Sequence, residues 1–167
     1  MIRLALASLA ALMSLGCAAL KAGSMPYPHA DECVNPALEN MAWLTVDARV
    51  TEVMSARTIR IQTDKGETVD VSLANIGEPF DARAADLFRK RILGTRVSIF
   101  FPHPGDLKNG LIAEVHDLKG RDLSNGLLRK GAAAFIREPA YTLSSYSECL
   151  NRIAEREAKA DHLGIWH

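Results

Sequence analysis

Apolar and polar residues alternate in two neighbouring stretches of this chain, 58–62 and 69–73, and this pattern limits the fold more than any other feature. A period of two indicates a β-strand with one buried side and one side facing water. A third run rich in β-branched and apolar residues, 43–54, precedes them, and a turn sequence at 64–67 separates the last two. The pattern predicts a three-stranded meander, with strands at 43–54, 58–63 and 68–76.

The hydrophobic period changes after Pro79. Through 81–93 apolar residues recur at helical spacing, and Gly94 follows as a helix stop. Later segments predict two more strands and two more helices, with strands at 95–101 and 111–116 and helices at 122–130 and from Ser145 onward. Five strands with one helix before the fourth suit a small, partly open barrel of the OB-fold type. We therefore expect an α+β domain, mainly β, with a five-stranded barrel and three helices.

The start of the chain has the composition of an export signal. Arg3 supplies a positive charge, residues 4–15 are uncharged and apolar, and small residues follow. The apolar run is shorter than the roughly 20 residues that cross a bilayer as a helix. We expect a signal peptide at 1–19, a tether or surface arm at 20–41 and one folded domain at 42–167. The expected location is the periplasm or the cell envelope.

The three cysteines support this interpretation. Cys17 follows Leu15 and Gly16 and resembles the lipidated cysteine of a bacterial lipoprotein signal, so lipidation at Cys17 and removal with the leader both stay open. Either outcome leaves Cys33 and Cys149 in an oxidising compartment, which favours a disulfide between them. The alternative is two unrelated buried thiols.

The charge balance limits the choice of partner. Lys and Arg total 20, and Asp and Glu also total 20, whereas proteins that bind nucleic acid usually carry a basic excess. The five histidines lack the spacing of metal ligands, and the sequence contains neither a glycine-rich phosphate loop nor a nucleophile motif. These observations do not favour nucleic acid as the partner and predict no bound cofactor.

Four segments in the second part of the chain resemble the staphylococcal (micrococcal) nuclease family. They cover the opening hairpin, the third strand with its proline turn, the short second helix and the closing helix with its Gly-Ile-Trp ending, at 50–61, 73–79, 120–133 and 154–166. The four occur in the family's order, between about residue 47 and residue 167. The resemblance implies the same five-stranded barrel with three helices that the periodicity predicts.

The resemblance also identifies where catalytic residues should stand. Nucleases of this family cut DNA and RNA with calcium, using carboxylates for the cation and the attacking water and two arginines for transition-state charge. Arg57 and Gly77 replace the two metal-ligating acids, and Phe80 replaces the proposed base. Ser72 and Gly110 replace the two arginines. Loss of one charge-stabilising group alone costs on the order of 10² to 10³ in rate, so we predict no hydrolysis by the family mechanism.

Two functions remain open from the sequence. The first is a non-catalytic module at the cell envelope that binds an unknown envelope protein or a small anionic ligand, the latter at Arg57 with help from Tyr141. The alternative to ligand binding at Arg57 is a purely structural role, in which Arg57 forms an ion pair with Glu78 or Asp81. The second is a calcium-dependent nuclease acting on DNA or RNA, with a site rebuilt from Glu78 and Asp81.

Overall fold

The computed structural model describes residues 29–33, 44–101, 111–138 and 144–167. The predicted leader at 1–19 lies outside the described residues, as do Cys17, Gly110 and Tyr141. Most of the predicted arm at 20–41 lies outside them too.

Within the described ranges, seven strands form two sheets. In chain order they are β1 (Leu44–Val53), β2 (Thr58–Thr63), β3 (Thr68–Leu73), β4 (Ile76–Phe80), β5 (Arg96–Phe101), β6 (Leu111–Asp117) and β7 (Ala133–Phe135). Five of them form a closed barrel in the order β1-β2-β3-β6-β5, which confirms the predicted five-stranded barrel. The barrel is closed rather than partly open, because β3 pairs in parallel with β6 from Val71↔Leu111 to Leu73↔Ala113.

The barrel interior contains the apolar residues of the alternating runs. Ile59 and Ile61 of β2 and Val71 and Leu73 of β3 are at most 2% exposed. The other strands contribute residues of the same kind, including Val50, Val97, Ile99 and Val115. Burial of one such side chain contributes roughly 1.5–3 kcal/mol, so the period-two pattern accounts for much of the driving force for closing the barrel.

The predicted strand at 68–76 is wrong at its end. β3 stops at Leu73, and Asn75 adopts a left-handed conformation with φ 60°. Asparagine tolerates this conformation better than most residues, so the chain turns there and leaves the barrel. The following residues form β4, which pairs with β7 in a separate two-stranded sheet that the sequence analysis missed.

The part of the chain that the structure describes also contains the three predicted α-helices: α1 (Ala82–Ile92), α2 (Leu123–Leu128) and α3 (Ser145–Ala160). Each helix begins after an N-cap residue whose side chain accepts a hydrogen bond from a backbone N–H of the first turn. The N-cap residues of α1, α2 and α3 are Asp81, Asp122 and Ser144. α1 packs on the barrel through Phe88 and Ile92. None of the helices in the described ranges is both long enough and apolar enough to cross a membrane.

A short segment of the predicted arm lies against α3. Cys33 is joined to Cys149 by a disulfide, with the two Cα atoms 5.8 Å apart. Glu32 accepts hydrogen bonds from Arg156 of α3 at 2.9 and 3.0 Å. The two cysteines are therefore positioned as the sequence predicts, and an ion pair next to them holds the same segment.

Candidate functional site

The turn between β1 and β2 positions Arg57. Ser55 Oγ accepts hydrogen bonds from the backbone N–H of Arg57, at 3.1 Å, and of Thr58, at 2.9 Å. The backbone N–H of Ser55 donates in turn to the carbonyl of Thr58. This hydrogen-bonded turn places Arg57 immediately before β2, at the barrel end where β3 also finishes, because Leu73 N donates to Arg57 O at 2.8 Å.

The Arg57 side chain is held by a carboxylate that the sequence analysis did not identify. Its Nη2 donates to Glu138 Oε1 at 2.6 Å, and its Nε donates to Leu73 O at 3.3 Å. The Glu138 side chain is only 7% exposed and that of Arg57 27%. A charge-assisted hydrogen bond that water reaches poorly is among the stronger polar contacts in a protein.

The prediction that a structural ion pair would join Arg57 to Glu78 or Asp81 is wrong, because Arg57 pairs with Glu138. Glu78 is exposed to solvent. Asp81 Oδ1 instead accepts from Ala84 N at 2.7 Å and caps α1. Glu138 carries no sequence signal for this role, because it follows β7 outside any motif and lies 81 positions from Arg57.

Gly77, at the position of the second metal ligand, is covered by another side chain. A Cβ atom added to Gly77 would lie 2.6 Å from Ile136 Cγ2, closer than real Cβ atoms approach other carbons. Ile136 is held in place by two hydrogen bonds with Asn75, through Ile136 N at 3.1 Å and Asn75 Nδ2 at 3.1 Å. The segment 136–138 therefore occupies the space next to both Gly77 and Arg57.

The two other described positions, Ser72 and Phe80, carry uncharged side chains that contact other residues of the domain. Ser72 Oγ lies 3.3 Å from Thr58 Oγ1 across the β2–β3 pair. Phe80 is half-buried and packs against the hydrophobic core. Neither side chain supplies a charge.

The residues at this barrel end do not fit a calcium ion. Calcium requires six to eight oxygen ligands, mostly from carboxylates. Here a guanidinium occupies one acid position, a glycine the other, and the nearby carboxylate of Glu138 is engaged by Arg57. Over the described residues as a whole, no three His, Cys, Asp or Glu side chains lie together in a way that could hold a metal ion.

A second polar cluster, which the sequence analysis missed, lies where β6 meets α2 and α3. Glu114 and Asp122 are 7% and 8% exposed, and Glu114 Oε2 lies 3.4 Å from His116 Nε2. Ser144 Oγ donates to Glu114 Oε1 at 3.3 Å, and Asp122 Oδ1 accepts from Ser124 N at 2.9 Å. Their spacing in β6 places Glu114 and His116 on the side of the strand that would face water. Ser144, at the start of α3, contacts Glu114, and Asp122 forms a β-bridge with His116.

Burial controls the ionisation of this cluster. Loss of hydration, with Glu114 close by, raises the pKa of Asp122 to about 6. Burial also opposes the charged form of His116, but the Glu114, Asp122 and Asp117 carboxylates outweigh it and raise the pKa of the imidazole. Both groups therefore hold protons more strongly in the folded chain than in the unfolded chain.

Buried amides connect this cluster to the barrel end. Asn125 Nδ2 donates to Asn151 Oδ1 at 3.2 Å, and Asn151 Nδ2 donates to Asn75 Oδ1 at 3.3 Å. All three side chains are at most 2% exposed. Since buried amides cost free energy unless they are paired, this chain of contacts fixes α2 and α3 relative to the turn that starts β4.

The closed five-stranded barrel, its three helices and its covered barrel end define a nuclease-like α+β domain of the OB type. The sequence model of the family "Staphylococcal nuclease homologue" matches residues 49–167. This chain belongs to that family.

One curated relative shows the same similarity. It is the probable endonuclease LCL3 of Verticillium alfalfae (strain VaMs.102), which is 30% identical over 116 residues. The alignment covers 61% of this chain and 40% of the relative. The chain thus spans less than half the length of that protein.

Proposed function

We propose that this chain is a non-catalytic member of the nuclease family that acts as a binding or interaction module at the cell envelope. The observation that carries the proposal is the ion pair of Arg57 with Glu138 at the position where the family holds a metal-ligating acid. Ile136 supports it, because its side chain fills the space in which an acid at position 77 would project. Arg57 then has a structural role, and its guanidinium is engaged rather than offered to an anionic ligand.

A metal-dependent endonuclease is the competing function. The name of the relative favours it, and Glu78 and Asp81 are the acids from which a rebuilt site could be formed. The described contacts give it little support, since Asp81 caps α1 and Glu78 projects into solvent. Water activation would need a carboxylate pair held around one cation.

Incubation of the purified chain with plasmid and with single-stranded oligonucleotide, in calcium and in chelator, separates the two functions. We expect no cutting in calcium above the level in chelator. Calcium-dependent cutting that Glu78→Gln with Asp81→Asn abolishes would overturn the proposal. The matched control is Glu67→Gln with Asp86→Asn, which removes two exposed carboxylates elsewhere and should leave any such cutting intact.

The envelope location rests on the leader-like sequence at 1–19. Cell fractionation of the bacterial host tests it, with a variant lacking these residues as the control. We expect the whole chain in the envelope or periplasm and the shortened chain in the cytoplasm. Cys17→Ser then distinguishes lipidation, which requires the thiol, from ordinary cleavage of the leader.

A further inference from the structure

The exposed side of α1 carries a concentration of unpaired positive charge. Arg83, Arg89, Lys90 and Arg91 are all exposed, and Asp86 is the only acid in the helix. None of the four cations forms an ion pair with any residue that the structure describes. By contrast, the barrel arginines Arg57, Arg60 and Arg96 each contact a carboxylate.

Helix geometry gathers three of these four cations on one side, whereas Arg89 lies outside that sector. At 100° per residue, Arg83, Leu87, Lys90 and Arg91 fall within a sector of about 100°, and we call this sector the α1 face. It lies opposite the buried Phe88 and Ile92 and extends over about 12 Å of helix, from a rise of 1.5 Å per residue. Leu87, within the basic residues of the face, is 62% exposed.

The stability of the helix does not explain the α1 face. Cations in the last turn interact favourably with the helix dipole, which accounts for Lys90 and Arg91. Arg83 lies in the first turn, where the same dipole repels positive charge, and neither the N-cap Asp81 nor Asp86 forms an ion pair with it. A leucine that is mostly exposed gains little from folding. A partner outside the domain would account for both Arg83 and Leu87.

We propose that the α1 face docks on the surface of an anionic lipid bilayer. Its cations would contact lipid phosphates while Leu87 enters the boundary between headgroups and acyl chains, which is the usual chemistry of basic amphipathic helices at membranes. Each Lys or Arg near such a surface raises partitioning roughly fivefold. The leader-like sequence at 1–19 would bring the domain to a membrane during export.

Nucleic acid fits the α1 face less well. Surfaces that bind single strands combine cations with aromatic side chains on which bases stack. The one aromatic residue of α1, Phe88, is 8% exposed and packs into the core. An exposed leucine among the cations suits lipid better than a phosphate backbone, because it offers apolar contact and no hydrogen bond.

Co-sedimentation of the full chain with vesicles tests the proposal. One set of vesicles contains phosphatidylglycerol mixed with phosphatidylcholine. A second set contains phosphatidylcholine alone and serves as the neutral reference, which reports any binding through the leader. The variant is Arg83→Glu/Lys90→Glu/Arg91→Glu. Its matched control is Lys65→Glu/Lys119→Glu/Lys130→Glu, which makes the same change in net charge at exposed positions of other elements.

We expect the α1 variant to lose at least tenfold in partitioning onto the anionic vesicles, and the control to lose less than about threefold. Equal losses in the two variants, or equal binding of the unmodified chain to both kinds of vesicle, would overturn the proposal. Thermal unfolding of each variant verifies that it is folded.

A second variant tests Leu87 without any change of charge. Leu87→Ala should lower partitioning onto the anionic vesicles at least threefold. Leu118→Ala is the control, because Leu118 is 76% exposed at the turn after β6. An equal effect of the two substitutions contradicts the docking of the α1 face.

Fluorescence anisotropy with a labelled oligonucleotide tests whether the α1 face binds nucleic acid instead of lipid. Oligonucleotide binding that the α1 triple variant removes, with vesicle binding unchanged, would overturn lipid docking. The outcome is independent of the proposed function, because the vesicle experiment measures no hydrolysis and the plasmid experiment contains no membrane.

Discussion

Arg57 Nη2 donates to Glu138 Oε1 at 2.6 Å, and this contact joins two segments 81 positions apart in the sequence. It fixes the first hairpin of the barrel to the chain that leaves β7. The resemblance to the family places a metal-ligating acid at position 57. The ion pair found there is the observation on which the proposed non-catalytic role rests.

Removal of Arg57 should destabilise the domain. Arg57→Ala leaves the Glu138 carboxylate, which is 7% exposed, without its cation. Because an unpaired buried acceptor keeps its desolvation cost, we expect a loss of roughly 1–3 kcal/mol in the free energy of unfolding, measured with urea. Arg60→Ala is the control. Arg60 and its partner Asp70 are 36% and 39% exposed, so water screens the pair and the loss should be smaller than for Arg57→Ala.

A double-mutant cycle isolates the Arg57–Glu138 pair itself. In a Glu138→Ala background, Arg57→Ala should cost at least about 1 kcal/mol less than in the unmodified chain. Additive losses would show that the two residues do not stabilise the fold through each other.

Much of the fold follows from local pattern, because buried and exposed positions repeat with the period of each element. The barrel strands and the three helices were predicted in this way. The separate β4–β7 sheet was not, since a single residue, Asn75 at φ 60°, redirects the chain in the middle of an apolar run. No periodicity reports such a change of direction.

The contacts of the candidate site were harder to predict from the sequence than the fold. Resemblance to a family identified Arg57 and Gly77 as replaced positions, but what fills the site, Glu138 and Ile136, comes from a distant segment. Glu114 likewise has strand spacing that predicts exposure, but it is buried and accepts a hydrogen bond from Ser144, 30 positions away. Contacts of this kind depend on the tertiary fold alone.

Asp122 makes stability depend on pH in an unusual direction. Burial raises its pKa from 3.8 to about 6 in the folded chain. The contribution of Asp122 to the free energy of unfolding is therefore fully present below about pH 4, and it is lost as the pH rises through about 6. The stability of the unmodified chain relative to Asp122→Asn should fall by roughly 3 kcal/mol over that window, by urea unfolding at several pH values.

Asparagine at 122 can still cap α2, so the helix start is preserved. Because the Asp122 carboxylate also raises the pKa of His116, the pH-dependent difference contains the titration of both groups. Asp117→Asn is the control of opposite sign. Burial opposes ionisation of Asp117, but hydrogen bonds from Arg121 and Lys119 outweigh it and lower the pKa. The stability that Asp117 contributes should be lost only as the pH falls below about 3.8. A difference for Asp122→Asn that does not vary with pH would contradict the assigned cause.

The disulfide should contribute a large part of the stability. It closes a loop over a sequence separation of 116, and restriction of the unfolded chain over such a length is worth about 5 kcal/mol. Cys33→Ser with Cys149→Ser should lose that amount in urea unfolding, and a reductant should reproduce the loss in the unmodified chain. Cys17→Ser, the control, should change neither value. A loss below about 1 kcal/mol would mean that the arm segment and α3 remain together without the bond.

Two glycines, Gly126 within α2 and Gly131 just after it, should respond to alanine in opposite ways. Gly131 has φ 62°, and a Cβ there would lie 2.0 Å from Leu163 O, a backbone atom that cannot move aside cheaply. Gly131 O also accepts from Ile165 N at 2.8 Å, so this close approach attaches the end of the chain to the end of α2. Gly131→Ala should therefore cost at least about 3 kcal/mol and loosen the closing 3-10 turn, Gly164–Trp166.

Gly126 is the matched position within α2 itself. It is exposed, and a Cβ there would meet nothing within 4 Å. Since alanine is favoured over glycine in a helix interior, Gly126→Ala should stabilise the domain by roughly 0.5–1 kcal/mol. Urea unfolding of the two variants measures both effects, and Trp166 fluorescence reports the state of the closing turn. Similar values for the two substitutions would show that the chain terminus is not attached at Gly131, and that helix propensity alone determines the response.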